Sequence, residues 1–333
     1  MQSLVIGGTR NLGPSIVHAL LRDGHQVAIL NRGFTPDDLP VDVERLRADR
    51  GDVQHLNAAI GNRSFDVVID TTLYTGAEAE AAVSLFRDRV GRYIFLSTGQ
   101  VYLVRLGVQR PFKESDYSGR VMAEPAKSDE SDHANWLYGF DKRQAEDVFA
   151  RAWNDHKFPF MSLRLPMVNS ERDHYDRLYG YFLRLKDGGP ILVPEDGGTT
   201  VRHVYGDDVV QAIMRLIKSD KGKGEAYNIG QDESVSLAEF LQLMAGLMGL
   251  SVQLKTLPRA QLHLAALLPD CSPFSGSWMS ALNNERSKTE LGMQYTPLAV
   301  YLKKLIDFYV ATSPRQIEGY FQRARELEFA SGK

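Results

Sequence analysis

Short apolar runs alternate with helical patterns through the first half of the chain, and this alternation limits the possible folds more than any other feature. The apolar runs are Ser3–Ile6, Gln26–Leu30, Val43–Leu46, Phe65–Ile69 and Arg92–Leu96. The helical patterns between them cover Leu12–Arg22, Val53–Ile60 and Glu78–Arg89. Strands this apolar belong in a parallel sheet that helices cover on both faces. We therefore predict an α/β fold built on a doubly wound parallel sheet.

The pattern changes after this first half. Residues 103–135 are polar and rich in charges, and a loop of this length is usually a functional wall or lid, or else disordered. A helix from Trp136 to about Asp155 and a strand at Pro159–Leu165 follow. We predict a sheet domain at 1–165, with 103–135 as a wall or lid, and a smaller, mostly C-terminal α+β lobe at 166–312, some of whose elements return to the main sheet. Residues 313–333 are predicted to be a charged tail, with an amphipathic helix at the periphery.

Composition and charge argue against several classes of protein. The 333 residues include 39 basic and 42 acidic side chains, a net charge of -3, so no global field attracts nucleic acid or an anionic membrane. Cys271 is the one cysteine, which rules out an intrachain disulfide and a thiolate metal cluster. The chain opens on an apolar strand without a basic leader region and contains no apolar run of bilayer length, so we expect a cytoplasmic protein.

A glycine-rich loop, GGTRNLG, connects the first strand to the first helix. Glycine allows a tight turn and a close approach to a pyrophosphate, whose charge then lies at the N-terminus of the helix. A tight turn without a ligand is the alternative interpretation. We predict a dinucleotide site of the Rossmann type, formed at this loop by Gly7, Thr9, Arg10, Asn11, Leu12 and Gly13.

The residues expected around the adenosine ribose favour NADP(H) over NAD(H). Asn31 and Arg32 close the second strand, where NAD-specific proteins usually carry a carboxylate for the ribose hydroxyls. Arg10 and Arg32 suit a 2′-phosphate instead, unless both are simply solvated. Asp49 or Asp52, after the third strand, is the candidate partner for the adenine amine.

Tyr138 and Lys142 form the candidate catalytic pair. Their spacing places a phenol and an ammonium one turn apart on one helix face, although such pairs are also common on helix surfaces. A neighbouring cation lowers the pKa of a tyrosine, which could then exchange a proton with a substrate hydroxyl. Thr98 ends the strand before the long loop, and the carboxyl end of a parallel strand faces the crevice where ligands bind.

Four segments together resemble the extended short-chain dehydrogenase/reductase superfamily: GGTRNLG, STGQVY, YGFDKRQAE and RHVYGDDVV. The resemblance implies that Thr98 bonds the reacting oxygen, that Tyr138 is the acid/base and that Lys142 binds the nicotinamide ribose. It also places Thr71 and Pro166 at the cofactor and implies a homodimer. The implied activity is NAD(P)-dependent interconversion of a secondary alcohol and a ketone, by an epimerase or reductase, on a nucleotide-sugar or a similar polar substrate that carries phosphate.

The residues on the substrate side narrow this chemistry. Nucleotide-sugar 4,6-dehydratases of the superfamily carry an Asp-Glu pair after the active-site threonine, whereas this chain has Gly99 and Gln100, which cannot act as acid or base. That dehydratase mechanism is therefore disfavoured. Beside Thr98, the expected substrate contacts are Gln100, Asn169 and Arg202. A structural ion pair between Arg202 and Asp207 or Asp208 is the alternative.

A nucleic-acid-binding module that has kept the fold is the competing hypothesis. The TRN form of the glycine loop, followed by NRG, resembles a divergent branch that includes chloroplast stem-loop RNA-binding proteins. The mild acidity of the chain and the intact Thr98, Tyr138 and Lys142 weigh against RNA as the ligand.

No metal site is predicted, because the spacing of Glu171, Asp173 and His174 fits no standard ligand motif. The Ser272–Trp278 segment suggests an ordered loop without an assigned role.

Overall fold

The computed structural model describes residues 1–195, 200–219, 221–312 and 316–332. A seven-stranded sheet, parallel throughout, lies at its centre in the order β11-β6-β5-β4-β1-β2-β3. The strands are β1 (Gln2–Ile6), β2 (Gln26–Asn31), β3 (Glu44–Arg47), β4 (Phe65–Asp70), β5 (Val90–Thr98), β6 (Phe160–Leu165), β7 (Val168–Asn169), β8 (Ile191–Pro194), β9 (Thr200–Val201), β10 (Val204–Tyr205), β11 (Glu225–Asn228), β12 (Val235–Ser236) and β13 (Leu254–Leu257).

Helices cover both faces of this sheet and build most of the second lobe. They are α1 (Gly13–Arg22), α2 (Val53–Ile60), α3 (Gly76–Phe86), α4 (Gln100–Leu103), α5 (Glu130–His156), α6 (Arg177–Asp187), α7 (Gly206–Lys218), α8 (Leu237–Leu247), α9 (Arg259–Leu264), α10 (Glu285–Leu291), α11 (Leu298–Thr312) and α12 (Arg323–Ala330).

Local sequence signals explain where several helices begin. Asp52 precedes α2 and accepts hydrogen bonds from the backbone N–H groups of Gln54 and His55. Thr75 and Glu78 form a reciprocal capping box at the start of α3. Pro14 occupies the first turn of α1, where its missing N–H has no intrahelical partner to lose.

Alternate residues of the central strands enter two different cores. Val5 and Ile29 pack with α1 and α7 on one face, while Leu4 and Tyr93 pack with α3 and α5 on the other. A third core, built largely from α6, α8 and α11, fills the second lobe. This arrangement confirms the predicted Rossmann-type doubly wound sheet.

The strand order reverses between β1 and β4, because the chain builds outward through β2 and β3 on one side and through β5 and β6 on the other. Loops that leave the carboxyl ends of such neighbouring strands diverge and leave a crevice between them. The glycine loop follows β1, the segment after Asp70 follows β4, and Thr98 ends β5. The topology therefore brings the predicted cofactor and catalytic segments to one edge of the sheet.

Two boundaries differ from the sequence-based prediction. The helix that carries Tyr138 begins at Glu130 rather than Trp136, and Asp129 caps it by accepting from the Asp132 N–H. Its first two turns are largely exposed, so they lack the apolar periodicity that reveals a helix in a sequence. The seventh strand, β11, was not predicted because EAYN offers no apolar run; this segment from the later part of the chain pairs with β6 at the edge of the sheet.

A helix forms in the predicted tail, and two of its charged residues are buried against the second lobe. Glu326 in α12 is fully buried and forms an ion pair with Arg184 of α6, which is 1% exposed. Arg323 also contacts this carboxylate and reaches Asp187. A buried arginine in the lobe needs a counterion, and the tail supplies it. Residues 313–315 and 333 of the predicted tail lie outside the described residues.

Candidate active site

The loop between β1 and α1 is shaped by its glycines. Gly7 and Gly8 have φ of +104° and +83°, a region that favours glycine. A Cβ on Gly7 would lie 2.2 Å from the hydroxyl oxygen of Thr71, and a Cβ on Gly13 would lie 2.5 Å from the carbonyl carbon of Gly8. Thr71 itself donates to the Ile6 carbonyl. The loop is thus folded tightly against the ends of β1 and β4.

The N-terminus of α1 has the features of an anion site. Leu12 is the N-cap residue, and no described side chain caps the first turn. Thr9 is half-buried, and Asn11, at φ +48°, accepts a hydrogen bond from Ser170. Uncapped N–H groups at the positive end of a helix dipole attract a phosphate. The loop and this helix therefore fit the pyrophosphate of a dinucleotide.

Three arginines surround the turn that follows β2. Arg10 donates to Thr35, while Arg32 is 62% exposed and lies 3.8 Å from Asp49. Arg47, which sequence reasoning missed, donates to the Asn31 side chain. Asn31 also accepts from the Gly33 N–H and donates to the Gly7 carbonyl, so it joins this turn to the glycine loop.

The two candidate adenine partners have different surroundings. Asp52 Oδ1 accepts both capping bonds of α2, at 3.0 Å each. Asp49 Oδ1 accepts from the Gly51 N–H, and its other oxygen lies on the side of Arg32. Both carboxylates are about half exposed, and the choice between them stays open. Pro166 directly follows β6, and its ring lies near Gly230.

Thr98 and Tyr138 lie together at the end of β5. Thr98 is buried and Tyr138 is 36% exposed, with its ring 6.1 Å from that of Tyr74. Burial of the phenol raises the pKa of Tyr138 to about 12, although an interaction with the Thr98 hydroxyl opposes this rise. The expected lowering of this pKa is therefore wrong for this structure. A phenol in this state is protonated at neutral pH and is a proton donor.

Lys142 is buried, and its described hydrogen bonds go to backbone carbonyls and not to the Tyr138 phenol. Its Nζ donates to the carbonyls of Leu73 at 2.5 Å and Leu96 at 2.9 Å, and it faces the rings of Tyr74 and Phe95. Burial lowers the pKa of Lys142 to about 7, and the nearby Asp70 carboxylate only partly opposes that effect. These contacts explain why the ammonium does not lower the pKa of Tyr138.

Arg50, Asp70 and Tyr93 form a buried hydrogen-bonded cluster next to this region, which sequence reasoning missed. Asp70, at the end of β4, accepts two hydrogen bonds from Arg50 at 2.6 and 2.7 Å and one from the Tyr93 hydroxyl. Arg50 also donates to Thr72. The Arg50 guanidinium keeps the pKa of the fully buried Asp70 carboxyl below its usual value, against the opposing effect of burial. The cluster fixes the turn that carries Leu73 and therefore the carbonyl that Lys142 contacts.

The substrate side is closed by a segment of the second lobe. Gln100 donates to the carbonyl of Trp278 and to the side chain of Asn135, and Arg110 donates to the carbonyls of Ser277 and Met279. The indole of Trp278 donates to Asp132 on α5. The end of the Ser272–Trp278 loop, to which the sequence assigned no role, thus contacts the start of the catalytic helix.

Asn169 and Arg202 form hydrogen bonds within the protein that the sequence did not suggest. The Asn169 amide is buried and bonds to His203 and the Tyr301 hydroxyl. Arg202 donates to the Gln231 carbonyl and the Asn284 side chain. Asp208 instead accepts from Thr296, so the described contacts show no ion pair between it and Arg202.

The described residues were also predicted to lack a metal site and a membrane-spanning helix. Across the described residues, no group of three or more histidine, cysteine or acidic side chains is arranged to hold a metal ion. None of the described helices is long and apolar enough to cross a membrane. Cys271 is buried, and burial raises the pKa of its thiol to about 12, which makes it a poor nucleophile.

A separate cleft of about 800 Å³ lies between the Glu114–Tyr117 turn, α5 and α10. Its walls include Arg164 and Arg286, but none of Thr98, Tyr138 and Lys142. Arg164 is paired with Glu146, and Arg286 with Glu225 and Glu290. The candidate catalytic side chains therefore lie outside this cleft, at the end of β5 and on α5.

Comparison with protein families identifies the family of the chain. The NAD dependent epimerase/dehydratase family model matches residues 3–230. The chain belongs to this family. The match contains the glycine loop, Thr98, Tyr138 and Lys142, and it confirms the resemblance to the extended short-chain dehydrogenases/reductases.

Two curated relatives of this epimerase/dehydratase family member have different functions. A 2′-dehydrokanamycin reductase from Streptomyces kanamyceticus is 26% identical over 67% of the chain, and a chloroplast stem-loop binding protein of 41 kDa from Arabidopsis thaliana is 25% identical over 70%. The matches span 60% and 59% of the lengths of these relatives.

Solved structures of family members share the fold. The UDP-glucose 4-epimerase from Thermotoga maritima, determined with UDP-glucose, is 19% identical, with a TM-score of 0.71 over 94% of this chain and 99% of that one. The UDP-glucose 4-epimerase from Thermus thermophilus, determined with NAD, is also 19% identical, with a TM-score of 0.70 over 94% and 100% of the two chains.

Proposed function

We propose that this protein is an NAD(P)-dependent oxidoreductase or epimerase that interconverts a secondary alcohol and a ketone on a polar, sugar-like substrate. The observation that carries the proposal is the placement of Thr98 and Tyr138 together at the end of β5, with Lys142 one turn further along α5. Nucleotide-sugars, which the resemblance favours, and amino sugars such as that of the reductase relative are the substrate classes to test.

Each residue of the proposed site has its own role in the reaction. A bound nicotinamide dinucleotide supplies the hydride donor or acceptor. Tyr138 gives its phenolic proton to the carbonyl oxygen in reduction and takes a hydroxyl proton in oxidation. The Thr98 hydroxyl bonds the same oxygen, and Lys142 is assigned to the ribose hydroxyls. Because the phenol is protonated at neutral pH, Tyr138 is in the state that proton donation during reduction requires.

Gly99 and Gln100 support the expectation that no water is eliminated. Neither residue can supply the acid and base that a 4,6-dehydratase needs beside its threonine. The proposed chemistry therefore ends at exchange between carbinol and carbonyl. A 4-keto-6-deoxy product from a UDP- or TDP-hexose would contradict this part of the proposal.

The preferred cofactor is proposed to be NADP(H). Arg10, Arg32 and Arg47 surround the turn after β2, where a 2′-phosphate would lie. Asn31 replaces the carboxylate that often binds ribose hydroxyls at this position. Guanidinium groups suit a phosphate because they offer several donors in a fixed plane.

Substitution of Tyr138 tests the catalytic proposal. 2′-Dehydrokanamycin should be assayed for reduction with NADPH, and UDP- and TDP-hexoses for oxidation or epimerisation with NADP⁺, by absorbance and product analysis. Tyr138→Phe removes the exchangeable proton, so kcat should fall at least about 100-fold while the cofactor Kd changes little. Tyr175→Phe removes a more exposed hydroxyl nearby and should retain kcat. A Tyr138→Phe protein with normal kcat would show that the assignment is wrong.

RNA binding is the second candidate, because one relative is a stem-loop binding protein. A protein that binds RNA through phosphate contacts shows a steep loss of affinity with salt. Filter binding of a structured RNA between low and moderate salt, with and without NADPH, separates the two functions. Strong salt-dependent binding in a protein that binds none of the sugars would favour the RNA function.

A further inference from the structure

The neighbours of Gln100 identify which end of its side-chain amide is the nitrogen and which is the oxygen. Its Nε2 lies 3.4 Å from the carbonyl oxygen of Trp278 and 3.3 Å from Oδ1 of Asn135. The Trp278 carbonyl can only accept, so the nitrogen of the amide must face it. The other end of the amide, Oε1, is buried and has no hydrogen-bond partner among the described residues.

This unpaired oxygen belongs to a residue placed against both catalytic elements. The backbone N–H of Gln100 donates to the Thr98 hydroxyl oxygen at 3.2 Å. A Cβ on Gly139, the residue after Tyr138, would lie 2.7 Å from the Gln100 carbonyl oxygen. Asn135, the partner of the amide, precedes Tyr138 by one turn of α5. Gln100 thus contacts both the strand end that carries Thr98 and the helix that carries Tyr138.

The backbone at Gly99 and Gln100 packs tightly against residues 277–280 and has little freedom to move. A Cβ on Gly99 would lie 2.3 Å from the Ser280 hydroxyl oxygen, and Arg110 holds the carbonyls of Ser277 and Met279. The two contacts of the Gln100 nitrogen are long, so rotation of the side chain toward the crevice breaks only weak hydrogen bonds. An unpaired buried carbonyl costs stability, and such a cost is common where a protein recognises a ligand.

We propose that Gln100 Oε1 accepts a hydrogen bond from a donor on the carbon adjacent to the one that reacts, an inference that rests on the proposed function. The preferred substrates are then cyclic 1,2-diols, 1,2-amino alcohols and the matching ketones. Gln100 is a specificity-determining residue in this scheme. A neutral acceptor serves both a hydroxyl and an amine, whereas the carboxylate of a dehydratase at this position would also remove protons.

Binding of two small probes tests the inference without requiring turnover. Ligand-observed NMR titrations should compare trans-cyclohexane-1,2-diol with cyclohexanol, on the NADP⁺ complex of a Tyr138→Phe background that blocks oxidation. One added hydrogen bond predicts about tenfold tighter binding of the diol. Gln100→Met should remove that preference and leave the affinity for cyclohexanol unchanged, while Gln100→Glu, which keeps acceptor oxygens, should retain it. trans-2-Aminocyclohexanol should follow the diol.

Gln211 on α7 offers a matched control. Its Oε1 is also buried without a partner among the described residues, but it lies on a helix that carries none of the three catalytic residues. Gln211→Met should therefore leave the diol preference intact. Equal affinities of the unsubstituted site for the two probes, binding of neither probe, or a diol preference that survives Gln100→Met would each overturn the inference. A failure of catalysis by itself would count against the proposed function and not against this preference.

Discussion

Lys142 is a residue whose burial works against the stability of the folded protein. Its ammonium is buried, and burial lowers its pKa from 10.5 to about 7. An unfolded chain would bind the proton much more tightly, so folding at neutral pH works against this charge. The two carbonyl contacts at Leu73 and Leu96 do not fully compensate. A residue kept under such conditions is typical of a functional site.

Lys142→Met should therefore stabilise the free protein while it impairs catalysis. Because the pKa is lower in the folded state, the penalty is complete below pH 7 and disappears as the pH rises toward 10.5. We expect the substitution to raise the free energy of unfolding by about 1–2 kcal/mol at pH 6. The gain should shrink by pH 10. Urea denaturation at the two pH values measures it.

A gain that is the same at both pH values would mean that Lys142 does not titrate between them. Arg143→Met is a useful comparison at the next position of α5. Its guanidinium donates to the carbonyls of Val101 and Tyr117 and stacks on the Tyr117 ring, so its loss should destabilise the protein at both pH values.

At the residue scale, the sequence predicted which side chains lie close together more accurately than it predicted the pKa values of those side chains. Motif order placed Thr98 and Tyr138 together, because strand ends and helix faces follow from local pattern. The Arg50–Asp70 pair was missed because it joins turns after two strands that are not neighbours in the sheet. The pKa of Tyr138 could not be predicted from spacing, because burial and the contacts of Lys142 determine it.

At the scale of elements, the turn after β2 and the strand β3 together form the proposed ribose-phosphate site. The parallel register pairs Asn31 with Arg47, so β3 delivers an arginine to the same turn as Arg32. The sequence revealed Arg32 because it directly follows the second strand. It could not reveal Arg47, since strand register is not readable from the third strand alone.

Cofactor preference tests this element. Charge-assisted contacts to a 2′-phosphate are worth about 1.5–3 kcal/mol each, so NADPH should bind at least about tenfold more tightly than NADH. Arg32→Ala and Arg47→Ala should each weaken NADPH and leave NADH nearly unchanged. Isothermal titration calorimetry on the free protein gives both affinities.

Arg63→Ala is the matched control for these substitutions. Arg63 pairs with Glu44 at the opposite end of β3, so its loss should affect neither cofactor. The proposed role of the turn would be refuted by equal affinities for NADPH and NADH, or by an NADH preference that survives Arg32→Ala.

At the scale of the whole molecule, the buried ion pair between Arg184 and Glu326 ties the C-terminal helix to the second lobe. Arg184 donates to both oxygens of Glu326, and Arg323 donates to one of them at 3.0 Å. Removal of one member of a buried pair leaves the other charge without compensation. Two residues of a charged segment that resembles a solvated tail in the sequence, Arg323 and Glu326, are therefore buried against the lobe.

Glu326→Gln should destabilise the protein by about 3–5 kcal/mol, because the buried guanidinium of Arg184 loses its charged partner, whereas Arg323 keeps Asp187. Chemical denaturation followed by circular dichroism measures the loss. Glu328→Gln, an exposed position on the same helix, should change the stability by less than about 0.5 kcal/mol. Similar effects at the two positions would show that the pair contributes little.

The same ion pair sets an order of events during synthesis. Arg184 and Glu326 are separated by 142 residues. Arg184 leaves the ribosome long before its counterion, and during that interval the lobe carries a cation that it cannot bury. The β-sheet domain can collapse as it emerges, whereas Arg184 can be buried against its counterion only after residue 326 has been made. Chaperone contacts on nascent chains should therefore concentrate on α6 and its neighbours, and they should end when α12 is released.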